Sequence, residues 1–179
     1  AYRFDQGNGE DYFDANGGSL RKAFLKAPVE FSRISSRYNL KRFHPVLGRT
    51  KAHLGTDYAA PHGTPIIAVG DGVVTKSGYT SGNGNYVKIR HNNTYETQYL
   101  HMSRRAVKAG ESVRQGQTIG YVGATGLATG PHVCFRFWKN GQQVDHLREE
   151  FPPSEPIAEA VRPDFEALKS QLETELAKK

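Results

Sequence analysis

The sequence contains one cysteine, Cys134, in 179 residues. No intrachain disulfide can staple the fold, so its stability must come from a packed core. A lone thiol is a liability in an oxidising compartment unless it is buried or bound to a metal. No apolar run reaches the length of a bilayer-spanning helix, so no membrane span is expected. Acidic residues are outnumbered, 18 against 24 basic ones, which favours an anionic partner or surface. Nucleic acid is not expected as that partner, because the basic residues are scattered and no recognition motif is present. The glycine-rich stretch 79–84 lacks the lysine and following helix of a phosphate loop, and no H-E-x-x-H pair occurs. The chain opens at Ala1 without a signal sequence. It therefore reads as a mature or excised fragment, with an upstream domain or partner protein left open.

Nineteen glycines and short apolar runs predict short strands and many turns, so the expected class is mainly β. Alternation predicts strands over 29–34 and 132–138. Ile66–Val69 and Gly72–Ser77 read as a hairpin across Gly70-Asp71. Tyr86–His91 and Tyr95–His101 are expected to pair across Asn92-Asn93-Thr94, leaving His91 at the surface. Asn140-Gly141 signals a type I′ turn. Beyond Pro163, Phe165, Leu168, Leu172 and Leu176 recur at helical spacing and predict an amphipathic C-terminal helix. The glycine-rich stretches 79–84 and 123–130 are expected to be mobile walls of a groove.

The chemistry centres on Gly130-Pro131-His132-Val133-Cys134. On a strand, His132 and Cys134 share one face, while Val133, Phe135 and Phe137 face a core. A second segment, His53-Leu54-Gly55-Thr56-Asp57, offers an imidazole and a carboxylate four residues apart, with Gly55 leaving room between them. His53, Asp57 and Cys134 form a donor set suited to one Zn²⁺, with a fourth position open for water. A third segment, Tyr99-Leu100-His101, ends a further strand in a histidine.

H-x-x-x-D, then Y-x-H, then G-P-H with a ligand type two residues on, resembles the lysostaphin-like (LytM-type) zinc endopeptidases. The resemblance runs from about Phe4 to Pro153. It includes Arg21-Lys22-Ala23-Phe24-Leu25, Phe31-Ser32-Arg33-Ile34-Ser35-Ser36 and Arg42-Phe43-His44-Pro45, similar to Gram-negative murein endopeptidases. It implies an antiparallel β-sheet or sandwich core of the duplicated hybrid motif type. It implies a peptidase domain over 1–153 (flanking segment 1–45, catalytic core 46–153) and a helical extension over 154–179. It also implies His53 and Asp57 as zinc ligands and His101 and His132 as catalytic histidines, with His132 the favoured general base. The substrate would be peptidoglycan stem peptides, cut at D-Ala–diaminopimelate, in the cell envelope. Groove-lining candidates are Arg42, Phe43, Asn85 and Arg136. The departure is Cys134, where the family has histidine as third ligand. Either Cys134 ligates zinc as a thiolate, which is the favoured reading, or the site is degenerate and the chain binds the wall or activates another hydrolase.

Overall fold

The computed structural model describes residues 1–7, 9–44 and 49–178, and leaves the side chains of 42–51 outside that description. By contacts the chain divides into two units, one of Ala1–Phe24 with Glu150–Lys179 and one of Leu25–Glu149.

In the first unit, β1 (Tyr2–Asp5) and β2 (Glu10–Phe13) form an N-terminal hairpin, with Tyr2 opposite Phe13. Helix α1 (Arg162–Leu176) carries Phe165, which is fully buried with Phe13 and Ile157. The rings of Tyr2, Phe4 and Phe13 meet Phe165 edge-on at 5.9, 5.6 and 6.1 Å, the geometry aromatic quadrupoles favour. Hairpin and helix thus close a core of their own. This division differs from the expected boundary after residue 153, because Phe165 makes the helix part of the hairpin's core.

The second unit is a ten-stranded sheet. Its strands are β3 (Arg33–Ser36), β6 (Thr56–Ala59), β7 (Pro65–Ile67), β8 (Gly72–Thr80), β9 (Gly84–Arg90), β10 (Tyr95–Arg105), β11 (Ser112–Val113), β12 (Thr118–Val122), β13 (His132–Lys139) and β14 (Gln142–Val144). The order is β11-β8-β9-β10-β13-β6-β3, with β12 linking β10 to β7 and β14 added to β13. Among the described residues its strand pairings are all antiparallel. A separate hairpin joins β4 (Asn39–His44) to β5 (Arg49–His53). Tyr99, Phe135, Phe137, Ile89 and Met102 lie at the centre of the core, each no more than 1% exposed.

Three local expectations fail. Val29–Ile34 is not a strand: Phe31 adopts φ 49° and is almost wholly exposed, and regular pairing begins only at Arg33. The strands flanking Gly70-Asp71 do not pair with each other, since β7 joins β12 and β8 joins β9 and β11. His91 is not a free surface residue. Its Nδ1 donates to the Asp71 carbonyl at 2.7 Å and its Nε2 lies 2.8 Å from Thr97 Oγ1. Asn140 and Gly141 do take the positive φ values, 51° and 78°, that a type I′ turn requires.

Candidate metal and catalytic site

Cys134 and Asp57 are direct partners across β13 and β6, and His132 pairs with Ala59. Residues opposite each other in an antiparallel ladder put their side chains on one face at close range. His53 joins them from the end of β5. It does not share a strand with Asp57, since β5 ends at His53 and β6 begins at Thr56. The chain breaks at Leu54-Gly55, and the turn brings the two side chains together. Gln143 on β14 secures that turn by donating to the Leu54 carbonyl at 3.0 Å. Gly55 is required there. A Cβ would lie 2.8 Å from the Phe135 carbonyl oxygen and 3.1 Å from Cys134 Sγ.

One ligand atom each from His53, Asp57 and Cys134 lies within 4.8 Å of the others. His53 Nδ1 faces the Arg37 carbonyl at 3.0 Å. A carbonyl only accepts, so Nδ1 carries the proton and Nε2 presents a lone pair. That lone pair lies 3.0 Å from Asp57 Oδ1 and 3.6 Å from Cys134 Sγ. Two acceptors at 3.0 Å need a proton or a cation between them. The three donors therefore fit a divalent metal of the kind held by nitrogen, oxygen and sulfur together. Burial would raise the Asp57 pKa, but when His53 is protonated its hydrogen bond and charge, with His132 and Cys134, bring it down to about 2. Burial, reinforced by the Asp57 charge, pushes the Cys134 thiol up to about 12. A metal ion must therefore displace the thiol proton to recruit this sulfur.

Two further histidines flank the cluster. His101 sits where β10 changes partners: residues up to Tyr99 pair with β13, and those from Met102 pair with β12. The register on β9 shifts at the same point, and His101 has φ 63°. Such a bulge re-aims one side chain out of the regular alternation. His101 Nδ1 donates to the Thr125 carbonyl at 2.8 Å. His132 Nδ1 donates to the Gly130 carbonyl at 2.8 Å, and its Nε2 is 3.9 Å from Asp57 Oδ1. Both rings thus keep Nε2 as the available acceptor, and their centroids are 4.8 Å apart. Burial holds the His101 pKa down at about 4, so the ring is neutral at physiological pH.

The stretch 123–130 was expected to be a mobile wall, yet its middle is pinned. Thr125 Oγ1 donates to the Met102 carbonyl at 2.7 Å and accepts from Asn85 N at 3.0 Å. Gly84 and Gly126, both with positive φ, permit this approach, since a Cβ on Gly126 would fall 2.3 Å from Gly84 N.

A cleft of about 400 Å³ opens beside His132, lined by Ser35, Ser36, Asp57, Ala59 and Thr129–His132. Ser35 and Ser36 belong to the stretch 31–36 that carries part of the sequence resemblance, but they are not among the groove residues expected from it. Asn85 lines a different hollow, with Ser103, Arg104 and Arg105. It donates to the Met102 carbonyl at 3.2 Å. Arg136 does not line the cleft and lies beside Cys134 and Gly55. Arg42 and Phe43 fall outside the described side chains.

An antiparallel sheet carrying this donor set and two flanking histidines has the form of a metallopeptidase. Among solved structures, a zinc-containing peptidase from Vibrio cholerae superposes with a TM-score of 0.70 at 38% identity, over 84% of this chain and 50% of its own. The catalytic domain of lysostaphin from Staphylococcus simulans superposes with a TM-score of 0.59 at 29% identity, over 65% of this chain and 90% of its own. Residues 51–146 match Peptidase family M23, and the chain belongs to that family. The peptidoglycan DD-endopeptidase ShyC of Vibrio cholerae is 52% identical over 92% of this chain, which spans 38% of that relative's length.

Proposed function

We propose that this chain is the catalytic region of a zinc endopeptidase that hydrolyses peptide cross-links of bacterial peptidoglycan in the cell envelope, at the bond between D-Ala and diaminopimelate. The observation that carries the reading is the convergence of His53, Asp57 and Cys134 beside two histidines whose Nδ1 atoms are each tied to a backbone carbonyl. Similarity to a relative named as a peptidoglycan DD-endopeptidase supports the substrate class.

His53 through Nε2, Asp57 through Oδ1 and Cys134 through Sγ would hold one zinc ion. Zinc bound there supplies Lewis acidity to the attacking water and the scissile carbonyl. His132 borders the open cleft with its Nδ1 tied to the Gly130 carbonyl and, through Nε2, takes the proton from water as general base. His101 is more deeply buried and its ring is fixed by Thr125, so it orients the water and stabilises developing charge. Ser35, whose hydroxyl donates to the Asp57 carbonyl at 3.3 Å, and Ser36, whose hydroxyl lies 3.5 Å from His53 Nδ1, form part of the cleft wall that would receive the substrate.

Cys134 also favours a second reading, a degenerate wall-binding module that activates another hydrolase. Zinc content and a digest of purified sacculi separate the two. The enzyme reading expects stoichiometric zinc and conversion of cross-linked dimers to monomers, with mass spectrometry naming the cleaved bond. Intact dimers after prolonged incubation of the zinc-loaded protein would support the binding module.

A further inference from the structure

We propose that Arg136 is a positioning residue whose buried Nε–H donates a hydrogen bond to the sulfur of Cys134 and holds it as a thiolate ligand. The inference rests on the reading of Cys134 as a metal ligand.

Arg136 follows Cys134 by two residues on β13, so both side chains leave the same face. Its Nε is buried, and among the described residues it has no hydrogen-bond acceptor. A buried donor without a partner costs stability unless some state of the protein supplies an acceptor. The Arg136 stem and the Cys134 sulfur border the same gap over Gly55: a Cβ there would meet Arg136 Cγ at 3.0 Å and Cys134 Sγ at 3.1 Å. A neutral thiol is a weak acceptor. A thiolate is a strong one, and a metal ion makes it.

Charge points the same way. With Asp57 and a Cys134 thiolate as ligands, the cation's two charges are cancelled. The adjacent guanidinium returns the site to a net +1, the balance that a neutral imidazole in place of sulfur would give. Cys134 and Arg136 therefore act as a pair that replaces one histidine ligand. Outer partners of this kind orient metal ligands and tune their affinity.

The test is a double-mutant cycle read by zinc affinity, with a chromogenic chelator as competitor. Arg136→Met should weaken zinc binding about 10–100-fold, and Arg136→Lys should recover part of that loss. In a Cys134→His background the same Arg136→Met change should alter affinity little. In the cobalt-loaded protein, Arg136→Met should move the sulfur-to-metal charge-transfer band to longer wavelength, because the sulfur lone pair loses its hydrogen bond. Equal losses of affinity in both backgrounds would mean a structural role and overturn the pairing. Unchanged affinity with a raised KM for peptidoglycan would make Arg136 a substrate contact and also overturn it. Cys134→Ser separates the levels. If that variant keeps zinc, the ligand reading itself fails; if it loses zinc while Arg136→Met is silent, only the pairing fails.

Discussion

Cys134 stands directly opposite Asp57 in the β13–β6 ladder, so backbone register itself places sulfur beside carboxylate. His53 reaches them only because Gly55 lets the chain turn tightly against the Phe135 carbonyl. The site is thus assembled by one strand pairing and one glycine.

Gly55→Ala should therefore damage the site more than its small size suggests. The added Cβ has rigid backbone, not a flexible side chain, as its nearest neighbour. The expected outcome is a loss of zinc affinity of tenfold or more, with a stability loss on the order of 1–3 kcal/mol. Metal titration and thermal melting check both. A variant with parental zinc affinity would mean that the turn relaxes without moving His53.

If Cys134 ligates zinc as proposed, sulfur in place of nitrogen adds a negative charge to the ligand set and weakens the metal's Lewis acidity. Cys134→His should then raise the rate of cross-link cleavage and shift the optimum to lower pH. Cys134→Ser should lose most bound zinc. Steady-state rates across a pH series, together with metal analysis, decide this.

His101→Ala and His132→Ala should leave zinc in place and reduce turnover by about 10²–10⁴-fold. In the proposed mechanism each acts through Nε2, its Nδ1 being tied to a carbonyl of the sheet's loops. Loss of zinc from either variant would move that histidine into the ligand set.

The recognisable part of the site was local and the missing part was not. Alternation alone marked 132–138 as a strand and put His132 and Cys134 on one face, and helical spacing found α1. His53 and Asp57 were paired from a four-residue spacing, which says nothing of the turn at Leu54-Gly55 that brings the two side chains within 3.0 Å. Gly70-Asp71 carried a hairpin signal that long-range pairing overrode, because β7 finds more to pair with in β12. The bulge that aims His101 depends on β10 changing neighbours halfway along, and no local pattern encodes that. Ser35 and Ser36 entered the cleft wall through the pairing of β3 with β6. Neither residue type nor spacing announces such a placement.

His146 provides a test of the fold apart from catalysis. It is 5% exposed, its Nε2 lies 2.8 Å from the Tyr58 hydroxyl, and its ring meets Phe135 edge-on at 4.7 Å. Burial lowers its pKa to about 4 despite the nearby Asp145 charge. The unfolded chain, with histidine near 6.5, binds more protons between those values. Stability should be full above about pH 6.5 and fall as pH drops toward 4, by on the order of 1–3 kcal/mol from this group. Chemical denaturation of the parent and of His146→Leu across that range checks the sign. The variant should lose part of the acid dependence.

X-ray absorption at the zinc edge on the metal-loaded protein tests the central claim most directly. The predicted spectrum contains one sulfur scatterer at about 2.3 Å together with nitrogen and oxygen scatterers at about 2.0–2.2 Å. A first shell of light atoms alone, with no sulfur, would contradict it.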